Sequence, residues 1–422
     1  MKPLTVRTLD RGPGNPATTI KYQEENTANA QHKEYLRAVK EVKLDHIFRK
    51  PFVTALEGHT EGITRIVGSK TNNDLIASTD FSGAISTWDL SIKQQIQTIP
   101  SFSTPRALSF LHNDLIYSQA QSIFIQTHSP TTPTPTTTTT TPSEFLAAAT
   151  VLDLSSFDST FVAATVDGIN IFDHDRIKPI ATYATTRPPK RIILASPQAI
   201  YTAEDNHLAG YDTRTGNQEF LIRTSSAINA FAINPHKPTE LATGLNSGEV
   251  HLYDILFTKQ SQAHYTPPNK ILRGHPKAIM DLTYFPNGQK LATASLDRTI
   301  RIFGNNLTHT QEHIYHNRRM QGINALFCTN DSHYLLSGST DTNLRIWQAN
   351  PNRPQKLLNK TEEDSRALGS LLKRKYSQVN QLSTLTRHII LPRVLKAEAR
   401  NRFHHLQAQQ RKEQNRQNNH SN

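Results

Sequence analysis

The amino-acid sequence predicts an all-β fold, a seven-bladed β-propeller, with an amphipathic helix before it and a basic α-helical extension after it. Three observations carry the prediction. First, Leu291–Phe303 (LATASLDRTIRIF) recurs in altered form as Leu335–Trp347 (LLSGSTDTNLRIW), and more loosely along most of the chain. Second, each copy runs apolar, reaches a Ser, places an Asp two residues later, turns, and resumes with apolar side chains on alternate positions. That pattern is a β-hairpin burying one face of each strand. Third, the copies divide residues 51–352 into seven units of about 43 residues, the length of a four-stranded blade.

Gly274-His275 ahead of one copy and Trp347 closing the other are the marks of WD repeats. Blade one contains Gly58-His59 and ends at Trp88-Asp89, and blade two is a weak pattern over roughly Ile96–Gln126. Blade three closes at Val166-Asp167-Gly168 and Phe172-Asp173, blade four ends at Tyr211-Asp212, and blade five runs through Leu241–Asp254. The two copies first quoted are blades six and seven. Phe52–Leu56, standing before Gly58-His59, is expected to complete the last blade, and a ring closed in this way leaves only short strand edges. Ser129–Glu144 (SPTTPTPTTTTTTPSE) has almost no apolar content and is expected to be a disordered loop in or after blade two.

Outside the ring the periodicity changes. Residues 1–26 read as an extended Gly/Pro-containing arm. Between Asn29 and Phe48, Leu36, Val39, Val42 or Leu44, and Ile47 recur at helical spacing, which predicts a helix docked on the propeller or on a partner. After Pro354, Thr361-Glu362-Glu363-Asp364 resembles a capping box, followed at helical spacing by Leu368, Leu371, Leu372, Tyr376 and Val379. A further helix is expected from Pro392, with Val394, Leu395, Ala399, Phe403 and Leu406 on one side, and disorder from Gln407 onward. The expected domains are therefore 1–50, 51–352 and 353–422.

The net charge of +12 is unevenly placed. Residues 1–50 hold 10 Lys and Arg against 6 Asp and Glu, residues 51–352 hold 22 against 24, and residues 353–422 hold 15 against 5. A near-neutral core with basic arms is the distribution of a protein that meets a polyanion. Lys373, Arg374, Lys375, Arg387, Arg393, Lys396, Arg400, Arg402, Arg411 and Lys412, with Arg416 beyond them, are the candidate RNA-phosphate contacts. Tyr376 and Phe403 could stack on bases, although their places in apolar stripes favour packing. No stretch approaches the roughly 18 apolar residues of a membrane helix. The N-terminus MKPLTVRT lacks a secretory apolar segment, so an intracellular address without membrane contact is expected.

In WD blades a His, a Ser or Thr, an Asp and a Trp form a buried hydrogen-bonded chain. Blade six supplies His275, Ser295 and Asp297, with Phe303 at the Trp position. Blade seven has Ser339, Asp341 and Trp347, with Arg319 where the His would stand, and blade one has His59 and Trp88, with Asp80 and Ser82 exchanged. Recurrence in several blades reads as structure, since a hydrolytic nucleophile has no reason to repeat. The histidines lack metal-ligand spacing, no Gly-rich phosphate loop precedes a Lys, and Cys328 is the only cysteine. A catalytic centre, a cofactor, a metal and a small-molecule substrate are therefore not expected.

The helix running into Leu44-Asp45-His46-Ile47-Phe48-Arg49-Lys50-Pro51-Phe52-Val53, the segment Ala278-Ile279-Met280-Asp281 and the run Arg298-Thr299-Ile300-Arg301-Ile302 are joined by Ile314-Tyr315-His316-Asn317-Arg318-Arg319-Met320-Gln321. Together with Thr386-Arg387-His388-Ile389 ahead of Pro392, they resemble the Sof-type WD-repeat proteins of the small-subunit processome. The resemblance implies a nucleolar, non-catalytic scaffold associated with the U3-type small nucleolar ribonucleoprotein. Such a scaffold binds processome proteins and pre-ribosomal RNA and supports its cleavage without being the nuclease. An alternative is a substrate receptor of a cullin-type ubiquitin ligase, because Tyr211-Asp212-Thr213-Arg214 resembles a Trp-Asp-x-Arg adaptor box. The same tetrapeptide is also an ordinary strand end and turn.

Overall fold

A computed structural model describes residues 27–48, 51–100, 107–126, 143–147, 149–174, 176–185, 187–256, 267–304, 311–351, 360–387 and 393–420. The expected N-terminal arm and most of the Thr/Pro run lie outside the described residues. The chain folds as two compact units, one of residues 1–48 with 354–388 and the other of residues 49–353 with 389–422.

In the second unit, strand β1 (Phe52–Leu56) precedes six blades that each hold four consecutive antiparallel strands. Blade one is β2–β5 (Ile63–Gly68, Leu75–Asp80, Ile85–Asp89, Gln94–Ile99), and blade two is β6–β9 (Leu108–Leu111, Asp114–Gln119, Ser122–Gln126, Ser143–Leu146). Blade three is β10–β13 (Val151–Phe157, Thr160–Thr165, Gly168–Asp173, Ala181–Ala184), and blade four is β14–β17 (Arg191–Ser196, Ala199–Glu204, His207–Asp212, Gln218–Arg223). Blade five is β18–β21 (Ile228–Ile233, Glu240–Leu245, Glu249–Asp254, Lys270–Arg273), and blade six is β22–β25 (Ile279–Tyr284, Leu291–Ser295, Ile300–Phe303, Gln311–Tyr315). The seventh takes β26–β28 (Ile323–Cys328, Tyr334–Ser339, Leu344–Gln348) and borrows β1 as its outer strand, with Leu56 opposite Leu344 and Phe52 opposite Trp347.

Three sequence expectations need correction. Gln94–Ile99 is the outer strand of blade one, so blade two begins at Leu108 and not near Ile96. Its own outer strand returns after the Thr/Pro run, so Ser143 and Glu144 belong to β9, with Ser143 opposite Ile125 and Glu144 opposite Phe124. The one-face burial read from the alternation also fails in the second strands, since β3 and β23 are buried along their whole lengths. A blade has neighbours on both sides, and the small residues of Leu-Ile-Ala-Ser-Thr-Asp and Leu-Ala-Thr-Ala-Ser let both approach.

The apolar core lies between blades. Ile63, Ile66, Ile76 and Trp88 of blade one pack with Ala325, Leu336, Leu344 and Ile346 of blade seven. Cys328 is buried at the next seam, where desolvation pushes its thiol up to about 12, away from reactive thiolate chemistry. The innermost strands bulge near their starts, with register shifts between Ile63 and Arg65, Val151 and Asp153, and Ile279 and Asp281. The re-aimed side chains tie blades together. Asp153 accepts the Ile192 amide of blade four (3.0 Å), and Asp281 accepts the Leu326 amide of blade seven (2.8 Å). Arg65 of blade one reaches Asp153 at 2.5 Å. Burial pushes both carboxyls up to about 6 against the opposing pull of Arg65 and the amides, and Asp153 is lifted further by the charge of Asp281.

The polar chains of the WD blades are present but differently staffed from the sequence expectation. In blade one, Trp88 Nε1 donates to Ser78 Oγ (2.7 Å), and Ser78 lies 2.6 Å from His59 Nε2. His59 Nδ1 faces Asp80 (3.3 Å), which also accepts from Ser82 Oγ (2.6 Å) and the Ala84 amide (2.9 Å). Asp80 pairs with Ile63 as Ser295 pairs with Ile279 and Ser339 with Ile323, so the exchange with Ser82 is real in register. In blade six, His275 is held by Asp297 (2.9 Å) and by Thr293 (2.8 Å), not by Ser295. Ser295 instead accepts the Asp297 amide and donates to the Lys277 carbonyl. In blade seven, Trp347 donates to Ser337 (2.8 Å), not to Ser339, which donates to the Gly322 carbonyl. Asp341 there takes a two-point bond from Arg345 in place of a histidine (3.0 and 2.5 Å).

Two stability predictions follow from these networks. Asp297→Ala removes one partner each from His275, the Thr299 amide and Arg301, whereas Asp341→Ala releases chiefly Arg345. The first should lose about 1–3 kcal/mol and the second less. Thermal unfolding reads the order, and equal losses contradict it. The second prediction concerns pH. Asp153 and Asp281 titrate near 6 in the fold and near 3.8 in the open chain, so the folded state holds these protons more tightly. Their burial is therefore tolerated best below about pH 4 and increasingly opposes folding as pH rises to about 6. Arg65→Met removes the compensating cation and should destabilise the ring more at pH 7 than at pH 4.5. Burial lowers His59 and His275, whose contribution is full above about pH 6.5 and lost as pH falls. That slope is common to both proteins and cancels in the difference. A pH-independent effect of Arg65→Met in denaturant titrations excludes the shared-cation account.

Candidate nucleic-acid interface

Three helices carry the residues singled out for RNA contact, α2 (Lys360–Lys375), α3 (Asn380–Arg387) and α4 (Arg393–His420), while α1 (Thr27–Phe48) carries none of them. In the first unit α1 packs on α2 and α3. Ala38, Val42, Leu372 and Leu382 are its buried centre, and Tyr35, Val39, Tyr376 and Leu385 border it. The inward face of α1 is thus Tyr35-Ala38-Val39-Val42, while Leu36 and Leu44 are exposed. Small Ala38 admits the close approach that a Leu at that place would block. Gly369 of α2 serves the same end, because a Cβ there would meet Glu41 at 3.2 Å. Helix α3, centred on Leu382, has no counterpart in the sequence expectation.

Three of the candidate cations have partners inside the chain, although Lys375 stays exposed. Lys373 pairs with Asp45. Lys375 pairs with Glu34 at 2.7 Å, and Tyr376 donates to the same carboxylate at 3.0 Å; the Lys375 bond, then the Tyr376 bond, hold the Glu34 carboxyl below its ordinary value. Both lysines sit where α1 presents its acids. The third is Arg402 of α4, whose guanidinium donates to the carbonyl oxygens of Ser247 and His275. Its seat exists because residue 248 is glycine at φ +83°; a Cβ there would lie 2.7 Å from Arg402 Nη1 and 2.6 Å from the His275 oxygen. Desolvation lowers the Arg402 pKa.

Most of the remaining candidates point outward. Arg374 on α2, and Lys396, Arg400, Arg411, Lys412 and Arg416 on α4, are exposed. The side chains of Arg387 and Arg393 lie outside the described residues. Disorder from Gln407 is also corrected, since α4 continues to His420. Gln, Arg and Lys are good helix formers, and the span has neither Gly nor Pro to stop it.

The adaptor-box residues are divided. Tyr211 is buried in β16, opposite Ile200 as Trp88 is opposite Ile76, and its hydroxyl donates to Glu204 (3.1 Å). Tyr211 and Glu204 therefore stand where blade one has Trp88 and Asp80, a substitution that no WD consensus reveals. Asp212 accepts the Arg214 amide (2.9 Å) in a local turn, and Arg214 is exposed.

The residues that carry the family resemblance have packing roles at the closing blades. Tyr315 stacks on Trp347 (centroids 5.6 Å apart) and donates to the Gln348 carbonyl (2.9 Å), and Met320 is fully buried beside them. Phe52 meets the same Trp347 edge-on at 5.5 Å.

Comparison with known proteins agrees with this architecture. Residues 266–304 and 309–348 match the family described as WD domain, G-beta repeat, and residues 349–422 match the Sof1-like domain. The chain is 24% identical to Protein SOF1 of Saccharomyces cerevisiae over 400 residues, covering 86% of this chain and 79% of that one. DDB1- and CUL4-associated factor 13 of Xenopus laevis is 25% identical, with 91% and 86% covered, and its namesake in Dictyostelium discoideum is 28% identical, with 86% and 82% covered. Among solved structures, the WD40 β-propeller domain of Doa1 superposes with a TM-score of 0.59 at 13% identity, covering 72% of this chain and 99% of that one, which shows the fold. The chain is a WD-repeat propeller protein with a Sof1-like C-terminal domain, similar over most of its length to Protein SOF1 and its relatives.

Proposed function

We propose that this protein acts in ribosome biogenesis as a non-catalytic scaffold of the small-subunit processome. The ring takes protein partners, the U3-type ribonucleoprotein among its neighbours, and the outward cations of α2 and α4 meet pre-ribosomal RNA. The setting is the nucleus and nucleolus. The observation that carries the reading is a coincidence: the Sof1-like match, residues 349–422, is the segment that bears the exposed cations. The non-catalytic part rests on the Ser, His and Asp side chains, which are absorbed in turn-holding networks of the blades.

A second reading is a receptor for a cullin-type ligase. Several relatives are named for association with DDB1 and CUL4, and Arg214 of the adaptor-like tetrapeptide is exposed. Against it, Tyr211 is held inside blade four, unavailable to an adaptor. Purification of the tagged protein separates the readings. Pre-ribosomal RNA with processome proteins supports the first, and a stoichiometric cullin adaptor supports the second.

Reversing Arg374, Lys396, Arg400 and Arg411 to Glu should weaken RNA binding by more than tenfold and flatten its salt dependence, since each phosphate contact contributes a slope of about 0.7–0.9. Reversing Lys373 and Lys375 should instead loosen α2 from α1. An unchanged salt slope after the first set removes these helices from the RNA-binding surface. In cells, depletion should reduce mature small-subunit RNA while large-subunit RNA accumulates, and normal small-subunit RNA contradicts the reading.

A further inference from the structure

Helix α4 meets the ring through a polar side chain and leaves the described part of its apolar stripe in solvent. Arg402 is seated on the Ser247 and His275 carbonyls, and Glu398, one turn before it, is half-buried. Ala399, Phe403 and Leu406 are exposed, Phe403 at 57% and Leu406 at 39%. A helix that served only to brace the ring would bury such a stripe. Here the bonds of Arg402 fix the helix so that the stripe cannot roll inward. The spacing of four and then three residues is that of a helix-pairing seam. Lys396 and Arg400 follow the stripe around the helix, on the side away from Arg402. Across Arg393–His420, Glu398 and Glu413 are the only acids against seven Lys and Arg.

We propose that α4 is a ring-mounted docking helix whose Ala399-Phe403-Leu406 seam pairs with an acidic amphipathic helix of a protein partner, Lys396 and Arg400 facing its carboxylates. Charge complementarity selects an acidic partner, and the seam selects a helix. A nucleic acid would use the cations and one aromatic face, leaving Ala399 and Leu406 without a role. The inference goes beyond RNA contact and stands whether or not RNA binds.

The test uses the full-length chain and two labelled probes, a synthetic helical peptide with leucines at seam positions flanked by glutamates, and a single-stranded uridine 20-mer. The expected result is peptide binding that falls at least tenfold in Phe403→Ser/Leu406→Ser and severalfold in Arg400→Glu. Arg402→Ala should weaken it too, with faster proteolysis of α4. RNA binding should stay within twofold in Phe403→Ser/Leu406→Ser, and the melting temperature should not move, because both side chains are exposed. Absence of peptide binding to the native chain overturns the proposal, as does peptide binding indifferent to the seam. A tenfold loss of RNA affinity in Phe403→Ser/Leu406→Ser also overturns it, assigning the stripe to base stacking. RNA that fails to bind any of these proteins counts against the RNA reading alone, since the peptide arm is read separately.

Discussion

The pairing of β1 with β28 is the constraint on which the ring depends. Blades stacked through their faces would leave an apolar face bare at each end unless the first and last pack together, as blades one and seven do here. Here Phe52–Leu56 crosses the start of the ring to complete its last sheet, and aromatic packing fixes the join. Trp347 receives Phe52 on an edge and Tyr315 on a face while its indole nitrogen holds Ser337. One side chain thus links the entry strand, the outer strand of blade six and the turn chemistry of blade seven. Phe52, Tyr315 and Met320, which carry part of the family resemblance, meet at this junction.

Around the ring the blades are coupled by side chains that leave the inner strands at bulges. Asp153 and Asp281 each bind an amide of the next blade, and Arg65 answers their charge from blade one. Asn324 likewise bonds the Ile63 carbonyl of blade one (3.1 Å) and Asn229 the Ile279 carbonyl of blade six (2.9 Å).

The repeat was legible because Gly-His, Ser-x-Asp and Trp stand at fixed spacing, and even degenerate blades keep enough of it to be counted. The hydroxyls that complete the polar chains were not. Ser78, Thr293 and Ser337 sit inside strands among other small residues, and only the register shows that they face the ring's histidines and tryptophans. Arg65 and Asp153 were equally hidden, being partners 88 residues apart in chain positions with no shared motif. The helices show a different limit. Helical spacing placed α1 and α4 and picked out Val39 and Val42 of the inner face of α1, yet it also took in the exposed Leu36 and passed over Ala38, because periodicity weighs apolar bulk and close packing favours small residues. Composition likewise found the basic tail but could not show that Lys373, Lys375 and Arg402 answer acids and carbonyls of the same chain.

The functional account assigns RNA contact to the exposed cations of α2 and α4, apart from those engaged within the chain. Crosslinking of RNA to the protein in cells, with sequencing of the RNA and mapping of the crosslinked peptides, tests it most directly. The account predicts small-subunit pre-ribosomal RNA joined to peptides of α2 and α4, with the ring's polar turns unlabelled. Crosslinks confined to unrelated RNA, or falling only on the blades, would contradict it.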